Sequence, residues 1–193
     1  MSFLSNLEWR RAEKTFSPLT DLQQADVEKV LNAMIQAPSS FGAQPYHIVA
    51  VQDPSLKTEL RKASYNQAQV EECHTLFVIC ARTDLSDRVQ QYIRETQLPS
   101  PYAEMMTGSL SGRSDEWCAR QSYIALGFGL AACAELNLGS CPMEGFSTAE
   151  VKKVLELPEH FVPYVYLAVG GKKEDAVSFP RFRFSQEDMV TRK

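Results

Sequence analysis

The chain has 193 residues, of which 44% are hydrophobic and 23% are charged, and its formal net charge is −4. This length and hydrophobic content are typical of one domain that buries a sizeable core. The net negative charge argues against nucleic-acid binding, and the longest apolar run, residues 123–136, is too short to span a membrane.

Helical and strand patterns alternate along the chain, with no internal repeat and no interdomain linker. A capping-box sequence at residues 20–23 opens a helix whose apolar residues keep helical spacing as far as Pro38. A second such sequence at residues 147–150 opens a short helix, and Gly170 and Gly171 end the last apolar strand. In chain order, the predicted elements are a short N-terminal helix, a helix after residue 20, a strand over 46–52, a helix from residue 53, a strand over 75–81, a helix over 84–95, a helix over 114–136, a helix from residue 147, a strand over 164–169 and an extended tail.

Residues 98–112 stand apart from these regular patterns. They contain two prolines, two glycines and the pair Met105 and Met106. Prolines and glycines interrupt regular structure, so we predict a mobile cover over a binding site.

The predicted helix over 114–136 is apolar on nearly all faces after Gln121, so we expect it to be buried on all sides, with its small residues letting a second helix approach, plausibly from a second subunit. Residues 127–132 also match the dinucleotide fingerprint G-x-G-x-x-A. That fingerprint requires a strand before it and a helix after it, whereas here it lies inside a helix. We therefore reject a Rossmann site.

The chain has five cysteines, an odd number without a CxxC pair, and three histidines. This spacing gives no metal site, and we expect reduced thiols that are buried as small hydrophobic side chains. The first 14 residues have no apolar stretch of secretory length, so we expect a cytoplasmic protein.

A loop rich in hydrogen-bonding groups is predicted over residues 37–47, between a helix and a strand. Pro38 and Pro45 fix backbone torsions there, and Gly42 tolerates a positive φ. Its hydroxyl and amide side chains belong to Ser39, Ser40 and Gln44. The loop either binds a polyhydroxylated ligand or is a simple connection in which the serines cap backbone groups.

Cationic side chains lie beside aromatic residues at both ends of the chain. They are Arg10, Arg11 and Lys14 before Phe16, and Arg181 and Arg183 within the aromatic residues of 179–184. In an acidic chain, this placement suggests one shared anionic ligand. Each cation taken alone is also typical of a solvated surface.

With these features in this order, the chain resembles the FMN-dependent NAD(P)H nitroreductases, in their oxygen-insensitive bacterial branch. The resemblance covers nearly the whole chain. It is carried by residues 10–16, the loop 37–46, Asn66 within 65–67, residues 117–121 at the start of the long helix, residues 142–146 and the basic tail 181–183.

The resemblance implies a single α+β domain over residues 1–193, a sandwich with a central, mainly antiparallel sheet flanked by helices. It also implies an intertwined homodimer with two FMN sites at the interface, and a C-terminal tail that extends onto the partner's sheet.

The resemblance further implies which residues bind FMN. These residues are Arg10, Arg11, Lys14, Pro38, Ser39, Ser40, Gln44, Asn66, Gln69, Met143, Glu144, Gly145, Arg181 and Arg183. Arg10, Arg181 and Arg183 would bind the phosphate, and Lys14 with Arg10 would stabilise negative charge at flavin N1 and O2. Backbone N–H groups of Glu144 and Gly145 would face N5 and O4, and residues 38–40 would come from the partner subunit.

Two positions depart from the family pattern. Relatives commonly have serine where this chain has Ala12, so one phosphate contact is expected to be absent. Relatives often have lysine where this chain has Gln69, and a neutral amide gives a lower expected flavin potential. Asn66 and Gln69 as ordinary turn residues, and residues 142–146 as a plain turn, remain open alternatives.

The implied activity is hydride transfer from NAD(P)H through FMN to a small acceptor, such as a nitroaromatic or a quinone, in a ping-pong cycle. No side chain acts as a nucleophile, and Tyr102 is the predicted substrate gate. A flavin, pteridine or enone reductase is a related alternative. An FMN-binding sensor or electron-delivery module without small-molecule turnover is an alternative of another class, and a cofactor-free interaction domain is a third.

Overall fold

A computed structural model describes residues 3–173 and 181–193 of the chain, and of Asp21 and Leu22 it describes the backbone alone. The helices are α1 (Phe3–Trp9), α2 (Asp21–Ile35), α3 (Pro54–Ala63), α4 (Ala68–Glu72), α5 (Leu85–Thr96), α6 (Ser100–Leu110), α7 (Asp115–Glu135), α8 (Thr148–Val154) and α9 (Gln186–Met189). The strands are β1 (Tyr46–Val51), β2 (Thr75–Arg82), β3 (Gly139–Met143) and β4 (Phe161–Gly170).

The four strands form one antiparallel sheet in the order β1-β2-β4-β3. Strand β2 lies at the centre, where Val78 pairs with Val49 of β1 and with Tyr166 of β4. Nearly every residue of β2 is buried, because helices cover both faces of the sheet. This arrangement confirms the predicted α+β class with a central antiparallel sheet.

Successive side chains of β2 point into two different cores, as the strand period of two residues requires. Phe77 and Ile79 pack with α2 and α7 on one face of the sheet. Leu76 and Val78 pack on the other face, with side chains of α3, α4 and α8. The sheet is therefore the middle layer of a sandwich of helices.

Helix α7 lies directly on the sheet and on α2. A Cβ at Gly129 would come within 2.8 Å of Met34 Cγ and Leu167 Cδ2, so only glycine permits this approach. Helix α2 of the same chain therefore packs against Gly129, whereas a Cβ built on Gly127 would have no atom within 4 Å. The residues that match the dinucleotide fingerprint lie inside α7, as predicted.

One face of α7 is not covered, which corrects the expectation that the helix is buried on all sides. Tyr123, Ile124 and Phe128 are 38%, 37% and 43% exposed. These side chains line an open groove beside Phe3 of α1 and Ala33 of α2, so the described chain covers them only in part.

The segment before α2 runs along the outer strand β3. Ala12 forms a parallel bridge with Ser140, and the Glu13 N–H donates to Ser140 O at 3.0 Å. Ser17 then pairs with Gly171 at the end of β4. These pairings hold the N-terminal cations beside β3.

The predicted helix starts are correct, with one difference. Thr20 and Gln23 form the full capping box, with the Thr20 hydroxyl accepting from the Gln23 N–H and the Gln23 side chain accepting from the Thr20 N–H. The Ser147 hydroxyl accepts from the Glu150 N–H at 3.4 Å, but the reciprocal bond is not formed in the described structure.

Most of residues 98–112, the predicted mobile cover, form helix α6, so the prolines and glycines there do not interrupt regular structure as expected. Pro99 caps this helix and Pro101 lies in its first turn, where a backbone N–H has no helical acceptor. Met106 and Leu110, one turn apart, are buried against α5 and α7. The prolines that suggest a break instead begin a helix.

Strand β3 was not predicted. Gly139 and Pro142 are poor strand formers, but an outer strand tolerates them. The tail is not wholly extended, because Gln186–Met189 forms α9. Phe179 and Pro180 of the aromatic tail pattern lie outside the described residues.

The five cysteines are free and buried, as predicted. Within residues 3–173 and 181–193, no helix combines the length and the apolar character needed to cross a membrane.

Candidate cofactor site

The two cationic ends of the chain meet beside the N-terminal segment. Arg10 is half-buried, and burial together with the charges of Arg183 and Arg181 lowers the pKa of its guanidinium group. Its Nη1 atom is buried and has no hydrogen-bond partner among the described residues. Arg181 Nη2 donates to Leu7 O at 3.3 Å. Three cations thus lie near one another, and none of them forms an ion pair within the described residues, although Glu8 and Glu13 line the same pocket as Arg181.

Lys14 continues this cationic group along β3. Its ammonium lies 3.8 Å from Cys141 Sγ, within hydrogen-bonding distance for sulfur. Burial raises the pKa of the Cys141 thiol, and the nearby Lys14 opposes that rise. Ala12, between Arg10 and Lys14, pairs with Ser140 through its backbone and has no hydroxyl to offer a ligand.

Arg11 does not join Arg10. Its Nε lies 3.8 Å from Glu13 Oε1, and it lines a separate pocket of about 520 Å³. In that pocket the Lys172 ammonium lies 3.9 Å from the centre of the Trp9 ring, a cation–π contact. Arg181 also lines this pocket, so it connects the two cationic regions.

A short loop with unused backbone donors follows β3. Met143 is buried at the end of the strand, opposite Tyr166. The Phe146 N–H donates to Glu144 O at 2.9 Å, which closes the chain into a tight turn. The N–H groups of Glu144 and Gly145 have no acceptor within the described chain, so they are free to bind a ligand.

The turn is held by side chains from two other elements. The Tyr123 hydroxyl on α7 donates to Glu144 Oε1 at 2.6 Å, and burial followed by this carboxylate raises the pKa of the tyrosine. From the other side, Gln67 Nε2 donates to Gly145 O at 2.8 Å. The sequence pattern does not predict a role for Gln67. The only signal for it is its position next to Asn66.

Asn66 and Gln69 differ in their surroundings. Tyr65 and Asn66 have φ values of 53° and 58°, and the Asn66 N–H donates to Arg61 O. Asn66 is therefore a turn residue whose side chain is exposed and free to contact a ligand. Gln69 belongs to α4 instead of a turn, is only 6% exposed, and donates to Gln67 Oε1 at 3.2 Å.

The loop between α2 and β1 uses much of its hydrogen-bonding capacity internally. The Ser39 hydroxyl accepts from the Gln44 N–H at 2.8 Å, and Gln44 Nε2 donates to Ile35 O at 2.6 Å. The Ser40 N–H donates to Gln121 Oε1 at 2.9 Å, and Pro38 is exposed. The capping interpretation therefore applies to Ser39.

This loop and the turn after β3 contact different sides of α7. Gln121 holds the loop and Tyr123 holds the turn, and two residues along an α-helix are about 200° apart around its axis. Residues 38–40 are thus not brought to Gly145 within one chain. Tyr102 is 60% exposed on α6, on the same helix as the buried Met106.

The exposed face of α7 forms an apolar groove of about 590 Å³. Its lining residues are Phe3, Ala33, Tyr123, Ile124, Gly127, Phe128, Ala131, Ala132 and Glu135. Tyr123 belongs both to this groove and to the turn that contains Gly145.

Similarity to known proteins agrees with this architecture. The chain is 34% identical over 175 residues to a protein of Thermus thermophilus named NADH dehydrogenase, with 85% of this chain and 83% of that protein covered. It is 30% identical over 215 residues to YfkO, a candidate NAD(P)H nitroreductase of Bacillus subtilis, with 97% and 95% covered.

Among solved structures, a nitroreductase-like protein from Exiguobacterium sibiricum in complex with FMN superposes with a TM-score of 0.80. The identity is 16%, and 100% of this chain and 98% of that chain are covered. The predicted nitroreductase-like fold is thereby confirmed. Because the Nitroreductase family model also matches residues 7–171, the chain belongs to the Nitroreductase family.

Proposed function

We propose that the chain is an NAD(P)H-dependent FMN oxidoreductase that passes hydride to a small acceptor such as a nitroaromatic or a quinone, in a ping-pong cycle. The family and the names of its relatives support the reaction class. The observation that carries the proposal is the half-buried Arg10, which has an unpartnered Nη1 and lies near Arg181 and Arg183. Arg10 is half-buried, and Arg181 and Arg183 are exposed. Repulsion among three neighbouring cations, one of them partly desolvated, favours binding of an anion between them.

The residues present fit FMN. Arg10, Arg181 and Arg183 would hold the phosphate, since planar guanidinium groups match its oxygens. Lys14 would add positive charge beside β3, and the free N–H groups of Glu144 and Gly145 would donate to the ring. When bound, FMN supplies a carrier that accepts hydride from the nicotinamide and returns it to the acceptor.

The departures from the family pattern change the expected strength of this site. Ala12 supplies no hydroxyl to the phosphate, and Gln69 supplies a neutral amide in place of an ammonium. The second change weakens the stabilisation of negative charge on the reduced ring and lowers the expected potential. Arg11 is the least well supported of the predicted ligands, because it pairs with Glu13.

We also propose that the chain is a homodimer. The apolar groove on α7 would be covered by a second copy, because exposed Tyr123, Ile124 and Phe128 are arranged as one continuous face. Dimerisation would bring residues 38–40 of the partner to the Gly145 turn, which they do not reach within one chain. The exposed apolar residues of the tail, among them Phe182 and Phe184, would lie on the partner's sheet.

Helix α6 and the cysteines bear on the acceptor site and on the compartment. Exposed Tyr102 and Met105 on α6 offer aromatic and soft side chains to a flat acceptor. The five free, buried cysteines are consistent with the reducing cytoplasm.

Anaerobic reduction of the purified protein tests the activity. FMN-loaded protein is expected to be yellow, to bleach with NADH or NADPH, and to regain its colour when menadione or a nitrofuran is added. A yellow protein that bleaches with neither nucleotide would be an FMN-binding module rather than a reductase. A colourless protein that ignores added FMN would overturn the cofactor assignment.

A further inference from the structure

Gln67 joins two segments that are far apart in sequence. It precedes α4, and its Nε2 donates to the carbonyl of Gly145 at 2.8 Å, across 78 positions of the chain. The same Nε2 donates to Ser64 O at 3.1 Å, which anchors the side chain to the turn after α3. Gln67 therefore ties the turn after β3 to a neighbouring element.

The orientation of this amide is set by a second glutamine. Gln69 Nε2 donates to Gln67 Oε1 at 3.2 Å, so the oxygen of Gln67 faces Gln69 and its nitrogen faces Gly145. Gln69 is only 6% exposed, so water does not compete freely for its amide. The two amides form a directed chain that ends on the Gly145 carbonyl.

The amide of Gln67 packs directly against Gly145. A Cβ built on Gly145 would lie 2.8 Å from Gln67 Nε2, closer than real Cβ contacts allow. The turn is otherwise held by the Tyr123 bond to Glu144 and by the Phe146 N–H on Glu144 O. Gln67 is thus the side chain that fixes the plane of the Gly145–Phe146 peptide.

We propose that Gln67 is a positioning residue that, oriented by Gln69, holds the turn so that the N–H groups of Glu144 and Gly145 face the flavin ring. This inference rests on the proposed function for the identity of the ring. Gln69 also gains a role of its own: it lacks the charge of the lysine that relatives often have there, but its amide orients Gln67.

The first test uses the protein without flavin. In Gln67→Met, which keeps the length of the side chain but cannot donate, amide hydrogen exchange at Phe146, whose N–H donates to Glu144 O within the turn, is expected to become about tenfold faster. Gln91→Met is the matched control, because Gln91 bonds to Glu95 on α5, away from the turn. Unchanged exchange at the Phe146 amide in Gln67→Met would overturn the proposal.

The second test uses the flavin-loaded protein. Gln67→Met is expected to reduce the rate of flavin bleaching by NAD(P)H about tenfold and to shift the visible flavin spectrum, with less than a threefold change in the FMN dissociation constant. Affinity is spared because the phosphate ligands are untouched. A wild-type rate with a wild-type spectrum would overturn the positioning role.

The third test is a conservative substitution. In Gln67→Glu, the carboxylate at neutral pH has no proton to donate to Gly145 O, whereas the protonated acid does. The bleaching rate of this variant is expected to rise as the pH falls, and that of Gln67→Met is not. Parallel pH profiles for the two variants would overturn the proposal. If the wild type itself never bleaches, the proposed function fails, while the exchange experiment still decides whether Gln67 holds the turn.

Discussion

Replacing Arg10 with methionine separates two effects of its charge: the effect on the stability of the flavin-free protein and the contribution to FMN binding. The side chain is half-buried and its Nη1 lacks a partner in the described chain. Burial, followed by repulsion from Arg183 and Arg181, lowers the pKa of its guanidinium group. Without FMN, losing this charge removes the desolvation and the charge repulsion that destabilise the folded state. The thermal unfolding midpoint of the flavin-free Arg10→Met protein is therefore expected to equal or exceed that of the wild type.

In the presence of FMN, the Arg10→Met substitution is expected to be destabilising instead, because it removes a ligand of the phosphate. A charge-assisted hydrogen bond to phosphate contributes about 1.5 to 3 kcal/mol, so the FMN dissociation constant is expected to rise by about 10- to 150-fold. Added FMN at about 100 times the wild-type dissociation constant stabilises the wild type by about 2.7 kcal/mol, and the variant by much less.

Fluorescence titration with FMN and thermal unfolding with and without it measure both effects. Arg113→Met is the control, because Arg113 bonds to Ser109 O and stacks near Trp117, away from the site. Unchanged FMN affinity in Arg10→Met, or a flavin-free midpoint several degrees below the wild type, would refute the reasoning.

Three further predictions follow from other contacts. Tyr123→Phe removes the donor to Glu144 and is expected to cost about 1 kcal/mol in urea unfolding; no loss would mean that the bond is not formed in solution. Burial and the charge of Arg82 lower the pKa of His47, so the unfolded chain takes up a proton first as the pH falls below about 6.5, and stability declines there. His47→Phe is expected to flatten that decline in unfolding midpoints measured against pH, and an unaltered slope would contradict this. Phe128→Arg places a charge in the α7 groove and is expected to yield monomers in sedimentation that retain FMN poorly; an intact dimer would argue against the proposed interface.

Much of the fold could be predicted from local patterns. The apolar run of β2 identifies a central strand, because only a strand covered on both faces can be apolar throughout. The pairing of Thr20 with Gln23 marks the start of α2, since the capping bonds involve residues three positions apart. Patterns whose cause lies within a few residues are readable without the rest of the chain.

The missed elements depend on distant partners. Gly139 and Pro142 make a strand only because β4 lies alongside to pair with them. Pro99 and Pro101 are compatible with a loop or with a helix start, and the burial of Met106 decides for the helix.

The residues of the candidate site also fall into two groups, those that the sequence identifies and those that depend on distant partners. The sequence by itself determined that cations stand at both ends and that a glycine follows Glu144. Only the tertiary structure decided that Arg10 turns inward while Arg11 pairs with Glu13, and that Gln67 reaches the Gly145 carbonyl. Residue type sets which hydrogen bonds and charges are available, but the pairing of β3 with its neighbours sets which of them meet.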